Sequence, residues 1–442
     1  MSEAAVPEEW LDELYELLRI PSVSADPAHA ADVRRAAEWV CEFVRSAGGR
    51  CELVETPAQP LAVGEIRAST GAAGAPTVLV YGHVDVQPPA PLDAWESPPF
   101  EPEIRGEWIY GRGVADDKGN LYLLLKAAAL LAQEGALPVN VRVACDAEEE
   151  IGGHSIVDFL ATDERGADAC VIFDGGMARR DVPLFMVGTR GLAYFHVRLR
   201  TGERDLHSGI FGGAALNAVQ ALADTLRAVT DLPEELRRGI VAPTAEEVAA
   251  WEALDPGAEV LAEQGARPKD ARAAEEFYAR TFAEAAVDVN GIVGGEPLLQ
   301  KTVLPVEAEA NVSIRLAPGQ DAEEIALAFE RILREAVPAG ADLDVERWST
   351  APAGLVDPRA PALGLAQDAF ERVLGVRPLL VRSGGTLPIV PALADRGIPT
   401  VLSGFDLPEG NVHSPHERLL VRYVPLGVAT ARELFTGLAA LR

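Results

Sequence analysis

The 442-residue sequence predicts an α/β fold: a mainly parallel sheet covered by helices, interrupted by an inserted α+β domain. Three observations carry that expectation. Short apolar runs alternate with helical patterns through the first part of the chain, the signature of parallel strands joined by helical crossovers. Near "GTRG", Gly188 to Gly191, the pattern changes to strands that alternate apolar and polar side chains. From about Gly354 the short apolar runs return. A chain of this length exceeds one ordinary core, so two domains are expected, with 1–188 and 354–442 forming the first and 189–353 inserted between them.

Taken in order, Trp10, Leu11, Leu14, Leu17 and Leu18 recur at helical spacing in an acidic start that is unlike a basic-then-apolar signal peptide. "PTVLVY" at 76–81 reads as a buried strand, a helix is expected from about Leu121, and "VNVRVAC" at 139–145 and "ACVIF" at 169–173 read as further strands. The most apolar stretch, "LYLLLKAAALLA", is interrupted by Lys126 and is shorter than the roughly 20 residues that span a bilayer, so no membrane anchor is expected. In the inserted domain Ala193, Phe195, Val197 and Leu199 share one strand face, as do Ala308, Ala310, Val312, Ile314 and Leu316. Helices are predicted around Leu216, Val219, Leu222 and Leu226 and around Ile325, Phe329, Ile332 and Leu333, with a third strand in "ADLDVERW". Residues 232–300 show no core stripe and read as a charged insertion. "PLLVRSG", "IPTVLSG" and a helix after "VRYVP" then close the first domain.

Bulk charge excludes one class of partner. With 39 Lys and Arg against 68 Asp and Glu, the formal charge of −29 repels nucleic acid over most of the surface. Cys41, Cys51, Cys145 and Cys170 form no CxxC pair, so they read as small core residues of a reducing compartment, and the expected address is the cytoplasm.

The chemistry collects where predicted strands end. Val78 to Tyr81 leads into His83 and Asp85, Val141 to Cys145 into "DAEEE", Val171 to Phe173 into Asp174, and Val401 to Ser403, after a loop, into His413. Ligands gather at the carboxyl ends of strands in such sheets. "GRGVADDKGN" adds Asp116 and Asp117 ahead of a helix, and Asp116 stands where a dinucleotide fingerprint would want glycine. An acidic run alone is usually a solvated helix face. Two carboxylates about 4 Å apart repel by roughly 4 kcal/mol at an effective dielectric near 20, so Asp146, Glu148, Glu149 and Glu150 either fan into water or are held by cations. Together with histidines and Asp174 at other strand ends, the cations are favoured. His29 and His196 read as structural, and His154 and His416 take no role.

These stretches resemble the co-catalytic zinc metallopeptidase family that includes carnosinases, aminoacylases, succinyl-diaminopimelate desuccinylase and carboxypeptidase G. "GHVDVQP", "GRGVADDKG", "EEIGG", "DGG", "GTRGLAYFHV", "DLHSGIFGG", "SIRLAP" and "NVHSPHE" occur in family order, and "DLHSG" with the long insertion is most similar to the carnosinase-like dipeptidase branch. The resemblance implies a di-zinc exopeptidase-like catalytic domain with an inserted lid and dimerisation domain. It implies two divalent metal ions per subunit, zinc first, although manganese or cobalt would suit the same ligands. His83 and Asp174 would hold one ion, Glu150 and His413 the other, and Asp116 would bridge them. Asp85 would fix the His83 tautomer, and the Asp116–Asp117 peptide would be cis. Glu149 would act as general base on a metal-bridging water. Asp146 and Glu148 are left as loop or solvated residues.

In the inserted domain the resemblance implies that His207 stabilises the oxyanion in the other subunit of a homodimer. It implies Arg315 as the clamp for a substrate carboxylate, and Thr302, Gly385 and Thr386 as further substrate contacts. One departure stands out. Where this branch often has glutamate, Ser383 follows Arg382 and offers no negative charge to a substrate ammonium. The implied activity is hydrolysis of the amide bond of a dipeptide or similar small substrate carrying a free carboxylate. N-acyl amino acid deacylation and a catalytically silent metal-binding interaction module are the alternatives.

Overall fold

A computed structural model describes residues 6–69 and 74–441; the first five residues of the acidic start lie outside them. In chain order come helices α1 (Glu8–Leu18) and α2 (Ala30–Ser46), strands β1 (Arg50–Val54), β2 (Leu61–Ile66) and β3 (Thr77–His83), helix α3 (Lys118–Gln133), and strands β4 (Asn140–Asp146) and β5 (Ala169–Ile172). The chain then forms β6 (Gly191–Arg200), α4 (Ala218–Thr230), β7 (Ala286–Gly294), β8 (Glu307–Leu316), α5 (Ala322–Ala336) and β9 (Asp342–Ala351). It returns through α6 (Pro361–Leu374), β10 (Thr400–Leu402) and α7 (Tyr423–Leu438).

Two compact units result, one of residues Met1–Val187, Val356–Val381 and Ala392–Arg442, the other of Gly188–Leu355 and Arg382–Pro391. The sequence reading ran 354–442 as one piece, whereas Arg382–Pro391 clusters with the inserted unit. Its side chains explain this: buried Arg382 pairs with Glu247 at 2.5 Å and donates to the carbonyls of Val241 and Ala242.

The first unit is built on a six-stranded sheet of order β1-β2-β4-β3-β5-β10. β4, β3, β5 and β10 are parallel, and β2 is antiparallel to both of its neighbours. Helix α3 is apolar on nearly every side because it is enclosed by β3, α1 and α7, as expected of a helix without a solvent face. Leu121, Leu123, Leu124 and Leu125 are almost wholly shielded, each contributing about 1.5–3 kcal/mol of burial. Lys118 and Lys126 are buried with them but satisfied: Lys118 Nζ donates to the carbonyls of Leu17 and Ile20, and Lys126 Nζ meets Glu13 at 2.7 Å. No helix of the described residues is long and apolar enough to cross a membrane.

The second unit is an antiparallel sheet of order β7-β8-β6-β9, with α4 and α5 packed against it. Ala193, Phe195, Val197 and Leu199 are buried as their alternation predicts, and Phe195 stacks on Phe329 of α5 at 4.6 Å. Asn217 and Asp321 cap α4 and α5 through their side chains. Strand β7 lies inside the stretch read as insertion. Most of its residues are exposed, so it carries no buried alternation to reveal it. Leu216, assigned to the α4 stripe, precedes the helix and is exposed.

Cys145 and Cys170 are free and buried, whereas Cys41 and Cys51 form a disulfide joining α2 to β1. This corrects the reading of all four as simple core residues. The turn after α2 folds β1 back along the helix, bringing the two Cα atoms to 5.0 Å despite ten residues of separation.

Candidate active site

Strands β3 and β4 are parallel and in register, with His83 opposite Asp146, so the segments following them emerge side by side. Asp85 is fully buried there, and its two carboxylate oxygens accept from Glu149 N at 3.2 Å and Glu150 N at 3.1 Å. His83 Nδ1 lies 3.1 Å from the Asp85 carbonyl and 3.5 Å from its Oδ1, so the carbonyl is the nearer orienting group for the ring.

The opposite ring atom, His83 Nε2, faces Asp116 Oδ1 at 3.1 Å and Asp174 Oδ2 at 3.9 Å. Asp116 Oδ2 faces His413 Nε2 at 2.9 Å, and His413 Nε2 faces Glu150 Oε2 at 3.1 Å. Two groups of ligand atoms therefore converge, His83 with Asp116 and Asp174, and Asp116 with Glu150 and His413, each within 4.8 Å. Asp116 is common to both and turns one oxygen toward each. The Asp116–Asp117 peptide is cis.

The electrostatics describe an acidic site that needs positive charge. Burial pushes Asp174 up to about 7, against the pull of His83 and with the push of Asp116 and Glu150. Burial likewise pushes Glu149 up to about 9; His83 opposes this, and Asp174, Glu150 and Asp116 add to it. His413 rises to about 10 through its hydrogen bonds to Asp116 and Glu150. Burial alone would raise Asp116, but its bonds to both histidines hold it below the ordinary carboxylate range. Two imidazoles and three carboxylates are a donor set that fits two divalent cations. Such ions would replace the imidazolium protons as the local positive charge and reverse this titration pattern.

Several holding residues escaped the sequence reading. Glu417 is fully buried and accepts from Arg112 Nη1 at 2.7 Å and from the backbone N–H groups of Gly113, Ala115 and Asp116 at 2.9–3.1 Å. One carboxylate thus fixes the loop that carries Asp116. Gln87 donates from its backbone and side chain to Glu150 at 3.2 and 2.9 Å. Both lie within motifs quoted above, "NVHSPHE" and "GHVDVQP", which was the available signal.

Asp146 and Glu148, read as loop or solvated, are buried instead. Asp146 accepts from Ala147 N, Glu148 N and Tyr81 Oη, and Glu148 accepts from Ser155 N and Gln59 N. The acidic run therefore divides its work: two carboxylates hold backbone, Glu150 joins the ligand cluster, and Glu149 remains half-buried outside both ligand groups.

In the second unit Arg315 Nη1 donates to Thr386 Oγ1 at 2.8 Å. The Gly385 carbonyl accepts from Arg190 N at 3.0 Å. His207 is exposed, with Nδ1 accepting from Gly209 N at 3.0 Å. Thr302 lies beside it, its carbonyl accepting from both Ser208 N and Ser208 Oγ at 2.9 Å. The five residues thus form two groups, Arg315 with Gly385 and Thr386, and His207 with Thr302.

Residues 79–436 match the family model described as peptidase family M20/M25/M40. The chain is 29% identical over 423 residues to the cysteinylglycine-S-conjugate dipeptidase of Corynebacterium striatum, covering 93% of this chain and 91% of that protein. It is 28% identical to the β-Ala-His dipeptidase of Rattus norvegicus, covering 93% and 89%. Among solved structures its fold is similar to the M20 metallo-carboxypeptidase Sso-CP2 from Sulfolobus solfataricus, with a TM-score of 0.85, 24% identity and coverage of 98% and 100%. Human carnosine dipeptidase 1 has a TM-score of 0.76, with 24% identity and coverage of 97% and 96%. The chain belongs to peptidase family M20/M25/M40, and its likeness is to the family's dipeptidase branch.

Proposed function

We propose that the protein is a two-metal hydrolase that cuts the amide bond of a dipeptide, or a similar small substrate with a free carboxylate. The observation that carries this reading is the pair of ligand groups sharing Asp116, with the uncoordinated carboxylate of Glu149 beside them. His83 and Asp174 would hold one ion, Glu150 and His413 the other, and Asp116 both. Such ions supply a lowered pKa for the attacking water and polarisation of the scissile carbonyl. Zinc suits the ligands, as do manganese and cobalt.

Glu149 takes the proton of the attacking water and returns it to the leaving amine. Asp85 acts through others, fixing the backbone of Glu149 and Glu150 and the ring of His83. Arg315, oriented by Thr386, receives the substrate carboxylate, and Thr302 and Gly385 contribute further contacts. A silent binding module has no chemical need for Glu149, and its presence favours the enzyme.

His207 serves the oxyanion of the partner subunit's site, making the protein a homodimer. Support comes from its exposure and from the exposed apolar side chains around it: Ile210 and Phe211 follow it, and Leu298 and Leu299 lead into the segment Val303–Leu304 that pairs with Leu206–His207. The acidic surface supports neither nucleic acid nor anionic membrane as a partner. Sparse cysteine supports a cytoplasmic address, with the Cys41–Cys51 bond pulling the other way.

The second reading, an N-acyl amino acid deacylase, is favoured by Ser383, which cannot pair with a free ammonium. Metal-loaded enzyme assayed on matched dipeptides and N-acetyl amino acids separates the two. Cleavage of dipeptides is expected, and cleavage confined to the acetylated compounds would transfer the proposal to deacylation.

A further inference from the structure

Arg190 immediately precedes β6. Its half-buried guanidinium donates to three backbone carbonyls, from Nε to Gly384 at 3.3 Å and from Nη1 to Arg280 and Glu284 at 3.4 Å each. Its own backbone N–H donates to Gly385 at 3.0 Å. One residue thereby grips two successive peptides of the Ser383–Thr386 turn. Ser383 Oγ closes that turn by accepting from Gly385 N at 3.1 Å, and Thr386 Oγ1 at its end meets Arg315.

The local charge is unusual for this chain. Asp and Glu outnumber Lys and Arg by 68 to 39, yet among the described residues neither Arg190 nor Arg315 has a carboxylate oxygen within 4.0 Å of its guanidinium nitrogens. Burial first, and then the nearby Arg315 charge, pull Arg190 down to about 10, with Asp288 opposing. Two guanidinium groups sharing a partly desolvated corner repel, and an anion placed there relieves both.

We propose that Arg190 is a positioning residue for substrate carboxylate recognition: it fixes the Ser383–Thr386 turn so that Thr386 holds Arg315 in place, and its charge makes the corner demand an anionic terminus. This rests on the free-carboxylate reading above. Arg190 acts through the turn, with its Nε and Nη1 committed to carbonyls. Lysine at this position keeps the charge but cannot reproduce the guanidinium's planar fork of donors.

The test compares a dipeptide with its C-terminal amide on the metal-loaded enzyme and on Arg190→Gln, Arg190→Lys and Thr386→Val, separating kcat from KM and recording metal content and thermal midpoint. For Arg190→Gln, KM for the free acid is expected to rise about 10- to 100-fold, the scale of a lost charge-assisted hydrogen bond. kcat, metal content and the constants for the amide should hold within about twofold, so that the acid-over-amide preference collapses. Arg190→Lys should recover part of that preference. Thr386→Val should reproduce the KM effect with Arg190 intact, and combining it with Arg190→Gln should add little further loss. Retained preference in Arg190→Gln, or equal losses on acid and amide, would overturn the proposal. If Arg190→Gln fails to fold, full preference in both Arg190→Lys and Thr386→Val does the same. Unaltered enzyme indifferent to amidation would overturn the free-carboxylate reading and this proposal together, whereas preference that survives in the variants removes only the role of Arg190.

Discussion

Glu149 and Glu150 are chemically identical neighbours whose surroundings divide them. Glu150 is held by Gln87 and faces His413, while Glu149 stays outside the ligand groups with its proton affinity raised by burial and by the carboxylates around it. Glu149→Ala is therefore expected to lower kcat by about 10²- to 10⁴-fold while metal content, measured by elemental analysis, stays unchanged. Glu417 acts at one remove. Replacing it by alanine leaves Arg112 and three backbone N–H groups without their acceptor, which is expected to cost about 3–5 kcal/mol in denaturant unfolding. Metal affinity, measured by titration of chelator-treated protein, should fall about 10- to 100-fold, the scale seen when groups supporting metal ligands are removed. The convergence of His83, Asp116, Glu150, Asp174 and His413 was legible because His83 ends a strand of one sheet, Glu150, Asp174 and His413 follow other strands of it, and Asp116 precedes a helix. The burial of Asp146 and Glu148 was not, because a carboxylate that accepts backbone N–H groups looks the same in sequence as one that faces water.

At the scale of elements, apolar periodicity located what is buried and was silent where nothing is. Helix α3 and strands β3 to β6 and β8 carry unbroken or alternating apolar runs and were readable. Strand β7 presents mainly exposed residues, so only its pairing with β8 defines it. The helix Ser155–Thr162 is tied back to β4 by polar contacts, since Asp163 at its end pairs with Arg142 of that strand at 2.8 Å, both side chains being buried. Burial would raise the Asp163 carboxyl, but Arg142 and then Arg165 hold it below the usual range. A folded-state value lower than the unfolded one means stability that is complete above about pH 4 and is lost as pH falls through the folded value. Thermal melts of Asp163→Asn should therefore show a lower midpoint than the parent at pH 7, with the gap narrowing on acidification. A constant gap from neutral to acid pH would show that the ion pair is not its source.

For the molecule as a whole, a charge of −29 opposes the proposed self-association, which would place His207 in a partner's site. Raising salt from about 0.1 to about 1 M shortens the screening length from about 10 to about 3 Å, so sedimentation should show the dimer strengthened by salt. Leu298→Glu, which puts charge on a side chain 91% exposed in the single chain, should weaken the dimer; a salt-independent monomer would remove the shared-site reading. The two-unit organisation was legible from the change of pattern near Gly188, but the return of Arg382–Pro391 to the second unit was not, because it depends on one buried arginine finding Glu247 across 135 positions of sequence. The central claim is that two ions held through Asp116 perform the hydrolysis, and it is tested most directly by adding zinc stepwise to chelator-treated protein while following dipeptide cleavage. Activity is expected to climb until two equivalents per chain are bound and then level off. Full activity at one equivalent, or none at two, would contradict it.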